Sequence, residues 1–332
     1  MPETIVFLQP MSDALREVVD DCAPPGFRIL TASSTAPDHL RSLIADADYA
    51  ISWDVGVDGD LLRAARRLKL LHKWGVGVDN FDLEAARELG IAVARTTGSN
   101  AIPVAEFTLA AMLAVGRQLM LAHEGMRQGR WLKNEVWLGS SLLFGKTVGI
   151  VGLGTIGKEV AKRVAAFGCS VVYHNRNRLP AGEEKALGTE YVSIEELLRR
   201  SDIVSLNCPL TKQTRGMIGA RELAWMKPSA ILVNVARGGV VVEADLAEAL
   251  RGRKIAGAAI DVYEVEPVPA DHPFLALPNV LLTPHSAATA FDNSRKGIMR
   301  MLGNILAVSR GEDVPAIDSV VPRPRVAQTA RA

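Results

Sequence analysis

The sequence predicts an α/β fold of two doubly wound parallel-sheet domains, and four observations carry that expectation. Short β-rich runs alternate with helical patterns along most of the chain, the signature of βαβ units. The alternation breaks once, near residues 130–145, and then restarts. The first strand after the restart runs into Gly152-Leu153-Gly154-Thr155-Ile156-Gly157, a G-x-G-x-x-G turn placed between an apolar strand and a helical run. A length of 332 residues suits two domains.

In chain order, residues 4–8 read as a strand, followed by an amphipathic stretch over 13–20. Further strands are expected at 27–31, 48–52, 68–72 and 90–94. A long helix fits 101–123, with Pro103 tolerable in its first turn. Residues 130–145 carry Trp131, Trp137, Gly139 and Gly145 and read as an irregular arm. Residues 146–151 form a buried strand by composition. Strands follow at 170–174, 203–207, 230–235, 256–261 and 280–283, with helices at 156–167, 194–200, 243–251 and 288–310. Residues 322–332 read as a frayed tail.

Composition narrows the function classes. Hydrophobic residues make up 48% and charged residues 23%, which supports a packed core and excludes a mainly disordered chain. Lys plus Arg is 38 and Asp plus Glu is 37, so the net charge is +1, and no overall field draws the chain to nucleic acid or an anionic membrane. The three cysteines, Cys22, Cys169 and Cys208, form no close pair. That argues against a disulfide framework or structural zinc and fits a reducing compartment. No signal peptide and no apolar run long enough to span a bilayer are evident, so a cytoplasmic protein is expected. No histidine shows metal-ligand spacing, and no metal is expected.

The glycine turn points to a dinucleotide. Gly152 permits the tight turn, Gly154 admits the pyrophosphate, and Gly157 lets helix and strand approach. The helix N-terminus then offers free N–H groups and a positive dipole end. A carboxylate at the end of the next strand would hold the ribose hydroxyls of NAD, but no Asp or Glu occurs between Val160 and Gly182. The strand ends instead in Asn175-Arg176-Asn177-Arg178. Guanidinium groups there suit a 2′-phosphate, so NADP is the expected cofactor, held by Arg176 and Arg178 with Asn175 in the acidic position. NAD remains possible, and a solvated basic loop is the other reading of the same residues.

Five ordered motifs then resemble one family, the D-isomer-specific 2-hydroxyacid dehydrogenases, over nearly the whole chain. They are Gly75-Val76-Gly77-Val78-Asp79-Asn80, the fingerprint at Gly152, Asn234-Val235-Ala236-Arg237-Gly238-Gly239, Asp261-Val262-Tyr263-Glu264-Val265-Glu266-Pro267, and Thr283-Pro284-His285-Ser286-Ala287-Ala288-Thr289. The resemblance implies a Rossmann cofactor domain over residues 103–285, inserted into a flavodoxin-like substrate domain of residues 1–102 and 286–332, with a cleft between them. It implies Arg237, Glu266 and His285 as the catalytic set.

The residue types suit reduction of a 2-oxo acid, which needs a hydride at the carbonyl carbon and a proton at its oxygen. His285 can donate that proton near neutral pH. Glu266, 285 − 266 = 19 residues earlier, would orient the ring and raise its pKa. Arg237 can hold the substrate carboxylate and polarise the carbonyl. Backbone N–H groups of Val76 and Gly77 can cradle a carboxylate, as the family uses that loop; a plain turn explains the two glycines equally well. The resemblance carries cofactor contacts to Thr108, Thr155, Ile156, Cys208, Pro209, Thr214, Val235, Ala236 and Asp261. Trp53, Trp74 and Trp137 either narrow the substrate pocket or simply pack.

The sequence is therefore expected to encode an NADP-preferring reductase of small 2-oxo acids such as glyoxylate and hydroxypyruvate, working as a homodimer without nucleic-acid or membrane partners. The same motifs also admit a phosphoglycerate or phosphite dehydrogenase and, in a different class, a dinucleotide-sensing corepressor. Glu266 argues against the formate dehydrogenase branch, where glutamine is typical at that position.

Overall fold

The computed structural model describes residues 2–324. The expected tail over 322–332 therefore falls largely outside the described residues. The chain divides into two compact units, Met1–Asn100 with Ala290–Ala332, and Ala101–Thr289. The crossings lie at 100/101 and 289/290 rather than 102/103 and 285/286, because a helix begins at Ala101 and the turn bearing His285 is fastened to the strands before it.

The first unit contains β1 (Glu3–Phe7), α1 (Asp13–Cys22), β2 (Phe27–Thr31), α2 (Pro37–Ile44), β3 (Tyr49–Ser52), α3 (Gly59–Ala64), β4 (Leu70–Lys73), α4 (Leu83–Glu88) and β5 (Ala92–Arg95). Local chemistry sets the helix starts. Ser12, Asp58 and Asp82 each accept a bond from a first-turn amide, and Pro37 opens α2, where its missing N–H costs nothing. The parallel strands stand in the order β5-β4-β3-β1-β2, with apolar clusters on both faces of the sheet.

The second unit begins with α5 (Ala101–Gly116), α6 (Leu119–Arg127) and α7 (Lys133–Gly139). The single helix expected over 101–123 is thus broken. Gln118 takes a left-handed conformation (φ 54°), and α5 and α6 meet at a bend of 67°. The expected irregular arm likewise contains a helix, α7. There follow β6 (Thr147–Val151), α8 (Thr155–Ala166), β7 (Ser170–His174), α9 (Ala181–Leu187), β8 (Thr189–Tyr191), α10 (Ile194–Arg200), β9 (Ile203–Leu206), α11 (Ala220–Trp225), β10 (Ile231–Asn234), α12 (Glu243–Arg251), β11 (Gly257–Ile260) and β12 (Val280–Leu282). The sheet order is β12-β11-β10-β9-β6-β7-β8, parallel throughout, a Rossmann arrangement extended by one strand. Among the described residues no single helix is long and apolar enough to cross a membrane.

The chain returns to the first unit through α13 (Ser294–Ser309) and β13 (Ser319–Val321). The expected helix over 288–310 is shorter because a turn and a 3-10 segment, Phe291–Asn293, precede it. The strand β13 pairs antiparallel with β5 and closes the sheet edge. Its anchor is Asp318, which is 1% exposed. The carboxylate accepts Arg300 Nε (2.7 Å), Arg300 Nη2 (3.0 Å), Asn304 Nδ2 (3.2 Å) and the Thr97 amide (2.9 Å). Burial alone would raise this carboxyl, but these donors outweigh it and hold it below the ordinary carboxylate value. Asn304 also meets Nε2 of His72, whose burial pushes its pKa down to about 4.

Removing the Asp318 carboxylate leaves a guanidinium and two amides without their acceptor. Asp318→Ala is expected to cost about 3 kcal/mol in denaturant unfolding. A loss near zero would show that β13 is held by other means.

Candidate active site

In the second unit the pyrophosphate turn has the geometry its glycines imply. Gly152 sits at φ 97°, where a Cβ would stand 2.7 Å from the Cys208 amide nitrogen. A Cβ on Gly157 would meet the Gly152 carbonyl oxygen at 2.4 Å. Gly154 precedes α8 with no side-chain cap, so the first amides of a twelve-residue helix face outward. Asn175 Oδ1 accepts the Leu153 amide at 2.6 Å and clamps this turn to the end of β7. Such a cradle of close-approach glycines and uncapped amides fits a dinucleotide diphosphate.

The basic residues after β7 differ from each other. Arg176 is exposed. Arg178 makes a bidentate pair with Glu184, Nε to Oε1 and Nη2 to Oε2, each 2.8 Å, and its guanidinium lies 5.6 Å from the Tyr191 ring centre. Tyr173 donates to the same carboxylate at 2.5 Å. Arg178 first, then Tyr173, holds the Glu184 carboxyl down to about 2. The charge of Arg178 is therefore largely answered within the protein.

Other expected cofactor contacts fall on strand ends. Cys208, after β9, is buried, and burial pushes its thiol up to about 11, which suits packing rather than nucleophilic attack. Thr214 Oγ1 donates to the Pro209 carbonyl at 2.6 Å and closes the loop that carries both. Thr155 and Ile156 open α8. Thr108 departs from expectation. It has no accessible surface, and its hydroxyl donates to the Val104 carbonyl one turn back at 2.7 Å, which leaves it no face for a ligand.

The three catalytic candidates share this unit. Arg237 follows β10 in a turn fastened by the buried Asn234, whose Oδ1 accepts the Ala236 amide and whose Nδ2 donates to the Arg237 carbonyl. Val235 and Ala236 line the same turn. The next residue must be glycine: a Cβ on Gly238 would stand 1.9 Å from the Tyr263 carbonyl carbon. That approach seats the Arg237 turn against the segment leading to Glu266. Glu266 Oε1 accepts the Tyr263 amide at 2.9 Å, and Oε2 lies 2.7 Å from His285 Nδ1.

His285 itself is held in a left-handed conformation, φ 51°, uncommon for a residue with a side chain. The 1%-exposed Asp261 provides the constraint. Its carbonyl accepts the His285 amide at 2.7 Å. Its Oδ1 accepts Thr283 Oγ1 (2.7 Å) and the Ser286 amide (2.8 Å), and its Oδ2 accepts the Ala287 amide (2.9 Å). Asp261, expected only as a cofactor contact, thus builds the turn that presents the histidine. Asn234, Gly238 and Thr283 lie inside the quoted motifs, but their supporting roles depend on contacts between strand ends and are not visible in one dimension.

The hydrogen bond that Glu266 accepts raises the His285 pKa above its ordinary value; burial and the Arg237 charge oppose it. Burial alone would raise Glu266, but His285, the Tyr263 amide and Arg237 together bring it below its ordinary value. The carboxylate at Nδ1 thus favours the charged form of the ring and leaves Nε2 as its other nitrogen. Among the described residues no group of three or more His, Cys, Asp and Glu side chains could hold a metal ion.

In the first unit, Val76 and Gly77 follow β4 in a half-buried loop. Among the described residues neither amide has an acceptor. Trp53 packs edge-on against Trp74, ring centres 5.4 Å apart, and Trp74 abuts Gly297 of α13. A cavity of about 610 Å³ lies at the carboxyl ends of β1 and β3, lined in part by Gln9, Trp53, Asp54 and Arg41. Trp137 lies on α7, 74% exposed, and Trp131, Leu138 and Phe144 of the same stretch of chain are exposed as well.

The chain resembles known proteins in sequence and in fold. The family model for the D-isomer specific 2-hydroxyacid dehydrogenase NAD-binding domain matches residues 109–287. The chain is 40% identical to a glyoxylate reductase of Aeropyrum pernix, over 95% of this chain and 92% of the relative. It is 38% identical to a D-3-phosphoglycerate dehydrogenase of Methanocaldococcus jannaschii, over 90% of this chain but 56% of that one. The crystal structure of the TT0316 protein from Thermus thermophilus superposes with a TM-score of 0.84 at 35% identity, covering 96% of this chain and all of that one (100%).

The pairing is open to direct titration. With Glu266→Gln the ring loses the carboxylate that favours its charged form, so the His285 pKa followed by proton NMR is expected to fall by about one unit or more. An unmoved titration would mean that the 2.7 Å contact does not set the protonation of His285.

Proposed function

The chain belongs to the D-isomer-specific 2-hydroxyacid dehydrogenase family, enzymes that oxidise or form CH–OH groups with a nicotinamide dinucleotide, and on that footing we propose that it is an NADP-preferring reductase of small 2-oxo acids, glyoxylate and hydroxypyruvate among them. The observation that carries the reading is the Glu266–His285 pair beside Arg237 on the strand ends that follow a dinucleotide turn.

Bound nicotinamide would supply the hydride to the carbonyl carbon. Everything else falls to the protein. Arg237 would bind the substrate carboxylate and polarise the carbonyl, and the loop amides of Val76 and Gly77 would offer N–H donors suited to a carboxylate. His285 would hold a proton on Nε2 and release it to the carbonyl oxygen as that oxygen gains charge. Glu266 keeps the ring in the tautomer and orientation this requires, and stabilises its charged form.

For the cofactor we read Arg176 as the main ligand of the 2′-phosphate, since Arg178 is engaged by Glu184 and frames the loop. The absence of acidic residues from Val160 to Gly182 removes the group that would favour NAD. The expected contacts at Gly152, Gly154, Thr155, Ile156, Gly157, Cys208, Pro209 and Thr214 are proposed for the diphosphate and the nicotinamide ribose. The exposed apolar side chains of Trp131, Trp137, Leu138 and Phe144 support assembly into a homodimer through the segment that carries them. Cysteine usage supports a cytoplasmic setting.

Cofactor selectivity is the cheapest test. Arg176→Ala is expected to lower the NADPH-to-NADH ratio of kcat/KM by about tenfold or more, the worth of one charge-assisted phosphate contact. A wild-type enzyme that prefers NADH, or an unchanged ratio in Arg176→Ala, would sink the assignment.

A further inference from the structure

A lysine closes β4 where the strand enters the Val76–Gly77 loop. Lys73 is 7% exposed, which is rare for a residue whose ammonium is costly to bury. Its stem runs beneath the loop, with Cε 3.8 Å from where a Cβ on Gly75 would stand. Its Nζ donates to the Trp53 carbonyl and, at 3.0 Å, to Asn80 Oδ1, and lies 5.3 Å from the Phe81 ring centre.

These contacts join two turns. Trp53 begins the turn after β3, and Asn80 and Phe81 end the segment that starts at Trp74. Asn80 continues the tie: its Nδ2 donates to the Asp54 and Val55 carbonyls, each 3.2 Å away, and its carbonyl accepts the Val57 amide at 2.9 Å. The near side of the loop is fixed separately. The Gly75 amide donates to Thr96 Oγ1 at 2.8 Å, and Arg95 Nη1 lies 3.4 Å from the Val76 carbonyl. The peptide units of Val76 and Gly77 therefore hang between two fastened ends.

We propose that Lys73 is a positioning residue for anion capture: by tying the Trp53 turn to Asn80 it keeps the Val76 and Gly77 amides in one preorganised cradle for the substrate carboxylate. This rests on the reading that those amides receive that carboxylate. A cradle built before the ligand arrives spends no binding energy on ordering. Charge-assisted bonds suit the task because each is shorter and stronger than a neutral one. Methionine at this position would keep the stem but leave the Trp53 carbonyl and the Asn80 amide without their donor.

The test uses the full chain saturated with NADPH and titrated calorimetrically with oxamate, an isostere of a small 2-oxo acid. Lys73→Met is expected to weaken oxamate binding about tenfold or more, with NADPH affinity held within about twofold, because the lost bonds are charge-assisted and local. Lys73→Arg should recover part of the affinity, and Asn80→Ala should weaken oxamate in the same direction. Asn80→Ala carries the test alone if Lys73→Met does not fold. Unchanged oxamate affinity, or NADPH affinity falling in the same proportion, would overturn the proposal. A wild-type enzyme that binds oxamate but reduces no 2-oxo acid would refute the proposed function and leave the tie standing. A wild-type enzyme that does not bind oxamate would overturn both.

Discussion

All the strands of the second sheet run parallel, so all their carboxyl ends share one edge. That constraint decides where chemistry can stand. The glycine turn follows β6, Asn175 follows β7, Cys208 follows β9, Arg237 follows β10, Asp261 follows β11 and His285 follows β12. Residues more than a hundred positions apart in the chain are delivered to one rim because the backbone hydrogen bonds permit no other alignment. The strands are apolar and buried on both faces, so the rim cannot slip without exposing the core.

A shared edge is not yet a site, and tight backbone packing converts one into the other. Gly238 lets the Arg237 turn lie against the backbone at Tyr263. The Tyr263 amide then holds one oxygen of Glu266 and leaves the other for His285. Asp261 commits both its oxygens to the turn that forces His285 into left-handed space. The strain of that residue is small beside the buried, charge-assisted bonds that impose it. Electrostatics follow from placement: the Glu266 carboxylate stabilises a charged imidazole, while Arg237 lowers the cost of the carboxylate and raises that of the imidazolium.

Much of this was legible in the sequence, for physical reasons. Apolar runs with a helix between them favour parallel strands, and G-x-G-x-x-G between strand and helix has few other uses. Arg237, Glu266 and His285 could be picked out because their motifs recur in family order. What the sequence hid depends on three-dimensional neighbours. The break at Gln118 is invisible because the helical pattern continues through it. The short strand β13 carries its signal in Asp318, a residue that looks like any surface carboxylate until Arg300 and Asn304 surround it. Arg178 reads as a phosphate ligand in one dimension, and Glu184, across a turn, claims its guanidinium. Lys73 lies one residue beyond the strand expected over 68–72, and its burial depends on contacts with Trp53 and Asn80 that are distant in the sequence. Nor does the sequence show that the Thr108 hydroxyl is spent on the turn behind it.

In the proposed reaction His285 and Arg237 act together on a 2-oxo acid. The most direct measurement is steady-state turnover of glyoxylate and hydroxypyruvate with NADPH, beside oxidation of 3-phosphoglycerate with NADP, for wild type and Arg237→Ala, followed by reduced-nicotinamide absorbance. The expected result is reduction of the 2-oxo acids by wild type, and its loss in Arg237→Ala with NADPH binding retained. Turnover confined to 3-phosphoglycerate, or wild-type reduction rates in Arg237→Ala, would contradict it.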